Sequence, residues 1–394
     1  MLEGVKVLSF THYLQGPSAA QTLADLGADV VKIESPKGAY ERSWSGCDTY
    51  LNGVSVFFLL ANRNQRAMAI DLKSAEGRQI IYDLLQEYDV IIENFKPGVM
   101  DRLGLGYEDI RKINPRIVYC SCTGYGSSGP KAKEPGQDLM AQSISGLAAL
   151  NGPGSHPPMP VGTALVDQHG AALAALGIIA AVFHREKTGQ GHKVDACLLH
   201  SALDLQIEPL NYFLNGGKLT PRADTGLSSR FHQSPYGIYA TADGYITLSL
   251  TPFDKLRAAF RPGALEGFTA ADQMSARLDF DARVASEMLS KSTAEWLAIF
   301  KREGIWHAPV NEYADVVEDE QVKYNQAFIE MEHPVAGTVR VLGHPNQYDG
   351  QPLPLRRLPP ELGEHSAEIL AELGYSQEVI RRLISDNIIS VNKH

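Results

Sequence analysis

Hydrophobic and polar positions along the chain follow two periods that alternate. Residues 5–10 form an apolar run, residues 18–26 repeat small and apolar side chains at helical spacing as far as Gly27, and residues 29–34 read DVVKIE. Strand, loop, helix, glycine and strand make a parallel βαβ unit. The pattern predicts further strands over 67–72, 90–93 and 117–121, a helix over 74–87 opened by Ser74 and Gly77, and short helices over 99–103 and 107–114. This alternation fills the first 185 residues and predicts a doubly wound α/β domain. Ligands of such sheets sit beyond the carboxyl ends of the strands, which marks residues 11–17, THYLQGP, as a candidate site loop.

The most informative stretch is residues 160–185, PVGTALVDQHGAALAALGIIAAVFHR. Small residues lead to one acid, Asp167, and then to an uncharged run over 171–183. A helix this apolar is expected to be buried on most of its circumference, and the run of 13 residues is too short to span a bilayer. Asp167 at the mouth of that helix has two readings. One is an N-cap; the other is an ionised carboxylate displayed at the end of a rigid element, suited to act as a nucleophile.

Beyond residue 189 the sequence predicts a strand over 193–196, a long helix over 198–214 and an extended linker over 216–233. Two β-periodic runs, 236–239 and 245–250, flank Ala242-Asp243-Gly244 and predict a hairpin. Helices over 284–289 and 293–303 follow, then a Pro-rich extended stretch over 333–358 and a helical pair over 366–373 and 377–384. The expected organisation is a large domain over 1–200, a linker over 201–224, a small α+β domain over 225–325, and a return linker with the C-terminal part of the large domain over 326–394.

Composition narrows the function classes. At 394 residues two domains are expected. A formal charge of −10 without a basic stripe argues against nucleic acid as a partner. The four cysteines, Cys47, Cys120, Cys122 and Cys197, lack metal-ligand spacing, so no metal site is expected; they read as small buried apolar residues of a reducing compartment. The N-terminus enters a strand directly and shows no signal-peptide pattern, so a cytoplasmic protein with no membrane partner is expected.

Gly124-Tyr125-Gly126-Ser127-Ser128-Gly129 satisfies G-x-G-x-x-G after a strand and raises a dinucleotide-dependent oxidoreductase as an alternative. Its context fails twice. Residues 130–135, PKAKEP, are not the apolar helix that receives a pyrophosphate, and some 20 residues on, where a ribose-binding acid belongs, stands Ala148-Ala149-Leu150. No H-E-x-x-H, G-x-S-x-G or G-x-x-x-x-G-K-[ST] pattern is present.

Four blocks together carry a resemblance: VLSFTHYLQGPSAAQTLADLGADVVKIE, DVIIENFKPGVMDRLGLGYEDI, TGYGSSGPKAKEPGQDL and VDQHGAALAALGIIAAVFHREKTGQGHKVDACLLHSAL. They resemble the family III CoA-transferases, the superfamily of formyl-CoA transferase, carnitine CoA-transferases and α-methylacyl-CoA racemase. The resemblance implies an α/β fold with a Rossmann-like large domain formed by both chain ends, a smaller α+β domain and an interlocked homodimer. It implies acyl-CoA and a small carboxylic acid as substrates, with no further cofactor. By the same resemblance Asp167 matches the acylated acid, Asp138 matches an acid placed to orient the acyl group or Asp167, and Gln15 stands one position after the family's loop glutamine. His12, Tyr13, Leu14, Lys73, Asn94, Phe95 and Arg102 match positions lining the CoA site. Ser35 replaces an arginine near the nucleotide, and formyl-CoA transferase's tetraglycine lid has no counterpart, so formate and oxalate are not the expected substrates.

The alternative within the superfamily is 2-methylacyl-CoA racemase. Its histidine falls in a Gly-His-Asp triplet that aligns with Gly136-Gln137-Asp138, and glutamine can neither accept nor donate a proton near neutral pH. A further racemase acid aligns with Thr251. A non-catalytic CoA-binding module is a third reading and leaves Asp167 without a task beyond capping. Arg222, Arg230, His232 and Gln233 are placed to hold a second carboxylate of a dicarboxylic substrate, or are exposed linker groups.

Overall fold

The computed structural model describes residues 1–392. The chain divides into two compact units, one of residues 1–141, 164–201 and 321–394 and one of residues 142–163 and 202–320. The sequence places 142–163 in the large domain and 201–224 in a linker; in the structure 142–163 and 202–224 cluster with the second unit, and Ser201 with the first.

The first unit is built on a seven-stranded sheet: β1 Lys6–Phe10, β2 Asp29–Glu34, β3 Gln65–Ile70, β4 Val90–Glu93, β5 Val118–Thr123, β6 Lys193–Cys197 and β7 Ile389–Ser390. Its order is β7-β3-β2-β1-β4-β5-β6, parallel throughout except for β7, which lies antiparallel on β3. From β1 the chain winds through β2 and β3 to one side and through β4, β5 and β6 to the other. The winding therefore reverses between β1 and β4, the place where open α/β sheets bind ligands.

Strand side chains alternate between two apolar layers. Val7, Val30, Val90, Ile92, Val118, Cys120 and Cys122 pack under the helices Gln15–Asp25 and Leu165–Thr188, which meet the sheet through Ala19, Ala20, Ala171, Ala174 and Ala175. Leu8, Phe10, Val31, Met68 and Ile91 face the helices Ala75–Leu84, Ser366–Glu372 and Gln377–Ser385. Burial on both faces explains why these strands read as continuous apolar runs. Cys120, Cys122 and Cys197 are buried free thiols as expected; Cys47 is exposed, against expectation.

Leu165–Thr188 corrects a sequence expectation. This core helix runs for 24 residues, and by length and hydropathy alone it would reach across a bilayer. It instead buries one face on the first unit and pins its far end with Arg185, 4% exposed, whose Nη1 donates to Asp89 Oδ1 at 2.7 Å. The opposite face is not buried: Leu176 and Phe183 are 63% and 61% exposed. Lack of charge marked an apolar helix correctly but did not show how many of its faces the chain itself covers.

The second unit has a three-stranded antiparallel sheet, Tyr236–Ala240, Tyr245–Ser249 and Trp306–Pro309. Tyr239, Leu248, Phe280, Trp296 and Phe300 form its core with the helices Phe253–Ala259, Arg277–Met288 and Thr293–Glu303. The expected hairpin is present. Its turn acid, Asp243, accepts the Thr293 N–H at 2.7 Å, and a Ser292–Glu295 capping box starts that helix. Two details differ from expectation. Residues 198–214 form two helices, Leu198–Asp204 and Ile207–Leu214, and the Pro-rich return contains a hairpin, Phe328–His333 with Gly337–Leu342.

Candidate active site

The loops that follow β1 and β4 clasp each other at the reversal point. Asn94 accepts the His12 N–H at 2.8 Å through Oδ1 and donates from Nδ2 to the His12 carbonyl at 2.7 Å. This reciprocal pair fixes the loop backbone, and the His12 ring lies on Phe95 with centroids 5.1 Å apart. Tyr13 adopts a left-handed conformation (φ 61°) that leaves its ring half exposed, while Leu14 turns its side chain into the fold. A bulky residue in that conformation stores strain, a feature found at functional loops.

Beneath the loop lies a buried ionic layer. Lys32, at the centre of β2 and fully buried, donates to the Thr11 carbonyl at 3.0 Å and to Glu41 Oε1 at 3.1 Å. Glu41 is equally buried; among the described residues its Oε2 has no hydrogen-bond partner, and it stands 3.9 Å from His12 Nδ1. Burial, with the Lys32 charge, holds the His12 imidazole below its usual range, so the ring is neutral at neutral pH. Glu34 takes both Nε and Nη2 of Arg42 at 2.7 Å.

Asp167 is not the N-cap of the core helix. The helix starts at Leu165, so Asp167 is its third residue, and the capping carboxylate comes from elsewhere: Asp138 Oδ2 accepts the N–H groups of Val166 at 2.7 Å and Asp167 at 3.0 Å. Those are two of the donors every helix start leaves unpaired. Spared that task, the half-buried Asp167 side chain is presented by a backbone held from outside. Burial, reinforced by the nearby Asp138 charge, pushes its carboxyl up to about 7.

Two close approaches hold these acids in place. Gly124 and Gly136 cross backbone to backbone: a Cβ on Gly124 would lie 2.7 Å from the Gly136 Cα, and one on Gly136 would lie 2.5 Å from the Gly124 Cα. The glycine-rich loop thus serves as a crossing point two residues before Asp138. Gln15 opens the helix Gln15–Asp25, is 5% exposed, and has a buried Nε2 without a partner among the described residues. That amide lies 2.6 Å from where a Cβ on Gly170 would stand, on the helix face one turn beyond Asp167.

The structure therefore gathers Gln15, Asp138 and Asp167 around the start of the core helix, and His12, Asn94 and Phe95 at the reversal point. Lys73, after β3, and Arg102, at the end of the short helix Val99–Arg102, are exposed. Gln137 is exposed beside Asp138.

Residues 2–366 match the model of CoA-transferase family III. The chain is a family III CoA-transferase. It is 34% identical over 397 residues to succinyl-CoA:glutarate CoA-transferase of Mus musculus, spanning 98% of this chain and 90% of that protein. It is 32% identical over 412 residues to formyl-CoA:oxalate CoA-transferase of Streptomyces avermitilis, spanning 98% and 99%. Its fold is similar to that of a CAIB/BAIF family protein from Brucella suis, with a TM-score of 0.81 and 32% identity over 94% of this chain and 99% of that one. As a family III CoA-transferase the protein is an enzyme, which sets aside the non-catalytic binding module, and its glycine-rich loop is no sign of a dinucleotide-dependent oxidoreductase.

Proposed function

We propose that this enzyme moves CoA from an acyl-CoA thioester to a small carboxylic acid, with Asp167 as the nucleophile. Asp167 Oδ attacks the thioester carbonyl, the C–S bond breaks, and a mixed aspartyl–acyl anhydride forms with CoA thiolate as the leaving group. The thiolate attacks the Asp167 carbonyl and expels the donor acid, giving an aspartyl-CoA thioester. The acceptor carboxylate then attacks that thioester, forming a second anhydride and releasing the thiolate. Thiolate attack on the acceptor's carbonyl yields the new acyl-CoA and regenerates Asp167. Thioester energy is conserved at each step, and the steps call for no metal or further cofactor.

The observation that carries this reading is the state of Asp167: a half-buried carboxyl at a helix start, relieved of capping by Asp138 and raised in basicity by burial. A basic, poorly solvated carboxylate is the better nucleophile, and acyl anhydrides need a site shielded from water. Gln15 brings to the same helix face an amide donor that is unpaired among the described residues. His12, Tyr13, the Leu14 backbone, Asn94 and Phe95 would hold CoA at the reversal point, with Lys73 and Arg102 as exposed cations for its phosphates. The racemase reading is not favoured, since Gln137 offers no base next to Asp138.

The proposal includes an interlocked homodimer in the cytoplasm. Supporting the dimer is apolar surface that the chain leaves uncovered: Leu176 and Phe183 on the core helix, and Ile207, Phe213 and Leu214 on the helix Ile207–Leu214. Sedimentation as a monomer at micromolar concentration would remove this part. The dicarboxylic acids in the names of the mouse relative are the first acceptors to test. Incubating acyl-CoA donors with a panel of carboxylates and detecting CoA products by mass tests the activity: net CoA transfer is expected, and thioester hydrolysis alone would refute it. In deuterated water a 2-methylacyl-CoA should remain unlabelled at its α-carbon.

A further inference from the structure

Within the second unit lies a cavity of about 350 Å³, a volume at the lower end of small-ligand sites. Leu219, Phe231 and Met274 supply its apolar wall, and Lys218, Arg230 and Arg277 supply cations; among the described residues no carboxylate lines it. Apolar surface with several cations and no anion is complementary to an amphipathic anion.

Arg277 makes this more than a surface groove. It is 4% exposed, yet its hydrogen bonds go to uncharged oxygens, from Nη1 to Thr220 Oγ1 and from Nη2 to the Ser229 carbonyl. Its Nε is buried without a partner among the described residues. The acid that faces it, Asp281, is already occupied by the hydroxyls of Thr225, Ser234 and Tyr239, the last two at 2.7 and 2.5 Å. Arg230 also spends its donors on carbonyls, Thr220 at 2.7 Å and Ala149 at 3.5 Å. Glu208, which accepts from the hydroxyl of the cavity-lining Tyr212, pairs with His232 at 3.3 Å and does not line the cavity. A buried guanidinium whose hydrogen bonds all go to uncharged oxygens is costly, and an incoming carboxylate would supply a direct ionic partner.

We propose that this cavity binds a small organic acid with an apolar body, its carboxylate facing Arg277 and Arg230 and its hydrocarbon lying on Leu219, Phe231 and Met274. The proposal concerns binding and stands apart from the chemistry at Asp167, so either can fail without the other. The test is calorimetric titration of the full-length protein with hexanoate and 3-phenylpropionate, with their primary amides, and with CoA. Both acids should bind saturably, and the amides at least tenfold more weakly. Met274→Trp, which fills the cavity from an exposed position, and Arg230→Gln should each weaken acid binding at least tenfold; Arg277→Lys is a third variant if it folds. Asp167→Asn should bind the acids as the wild type does, and CoA should not compete with them. Equal binding of acids and amides, wild-type affinity in both Met274→Trp and Arg230→Gln, loss of binding in Asp167→Asn, or competition by CoA would each overturn the assignment.

Discussion

Replacing Asp167 by Asn should make the protein inactive and, above neutral pH, more stable. The carboxyl rises from 3.8 to about 7 on folding, chiefly through burial and secondarily through Asp138. The folded state therefore holds this proton more tightly than the unfolded chain. Stability linked to the group is fully present below about pH 4 and is lost as pH rises toward 7. At 1.36 kcal/mol per pKa unit the full shift is worth roughly 4 kcal/mol, and partial exposure of the side chain reduces it to about 2–4 kcal/mol. Asn fills the same space without charge, and the cap, which comes from Asp138, stays in place. Denaturation of wild type and Asp167→Asn between pH 4 and 8 should thus coincide at the acid end and diverge upward, the variant melting several degrees higher at pH 8. Transfer activity should fall by roughly 10³-fold or more. Parallel melting curves at every pH would refute the account of the site's electrostatics; an active Asp167→Asn protein, shown free of deamidation, would refute the nucleophile.

Further expectations follow from the same contacts. Asp138→Asn keeps an acceptor for the Val166 and Asp167 N–H groups but removes the repelling charge, so the acid limb of kcat/KM should move to lower pH. Asp138→Ala should in addition cost about 1–2 kcal/mol, read from denaturant melts, because two helix-start donors lose their partner. Glu41→Gln leaves fully buried Lys32 without its counter-ion and should cost about 3–5 kcal/mol by the same measurement, with Lys32→Met in the Glu41→Gln background recovering much of the loss. Gly124→Ala, whose Cβ would meet the Gly136 backbone at 2.7 Å, should lower kcat along with stability by displacing the turn that carries Asp138.

Local pattern carried much of the architecture. The buried strands announced themselves as apolar runs, and the helix expected over 293–303 is present with those bounds. Long-range geometry was not legible. That Asp138 reaches across to cap the core helix depends on Gly124 and Gly136 crossing, whereas in the sequence Gly124 stands out only as the first glycine of a G-x-G-x-x-G motif. The exposed face of the core helix was misjudged because an alanine-rich sequence has much the same polarity on every side. Lys32 and Glu41 were missed for a different reason: nine residues apart in sequence, they meet only when the turn after β2 folds back. Asp167 was found by position, but its freedom from capping appears only in three dimensions.

The central claim is that Asp167 itself becomes acylated. Wild-type enzyme incubated with an acyl-CoA and hydroxylamine, then digested and mapped by mass spectrometry, tests it directly. Aspartyl anhydrides and thioesters are captured as hydroxamates, so the peptide containing Asp167 should carry one hydroxamate, dependent on acyl-CoA and absent from Asp167→Asn. Continued CoA transfer with an unmodified Asp167 peptide, or a hydroxamate on another residue, would contradict it.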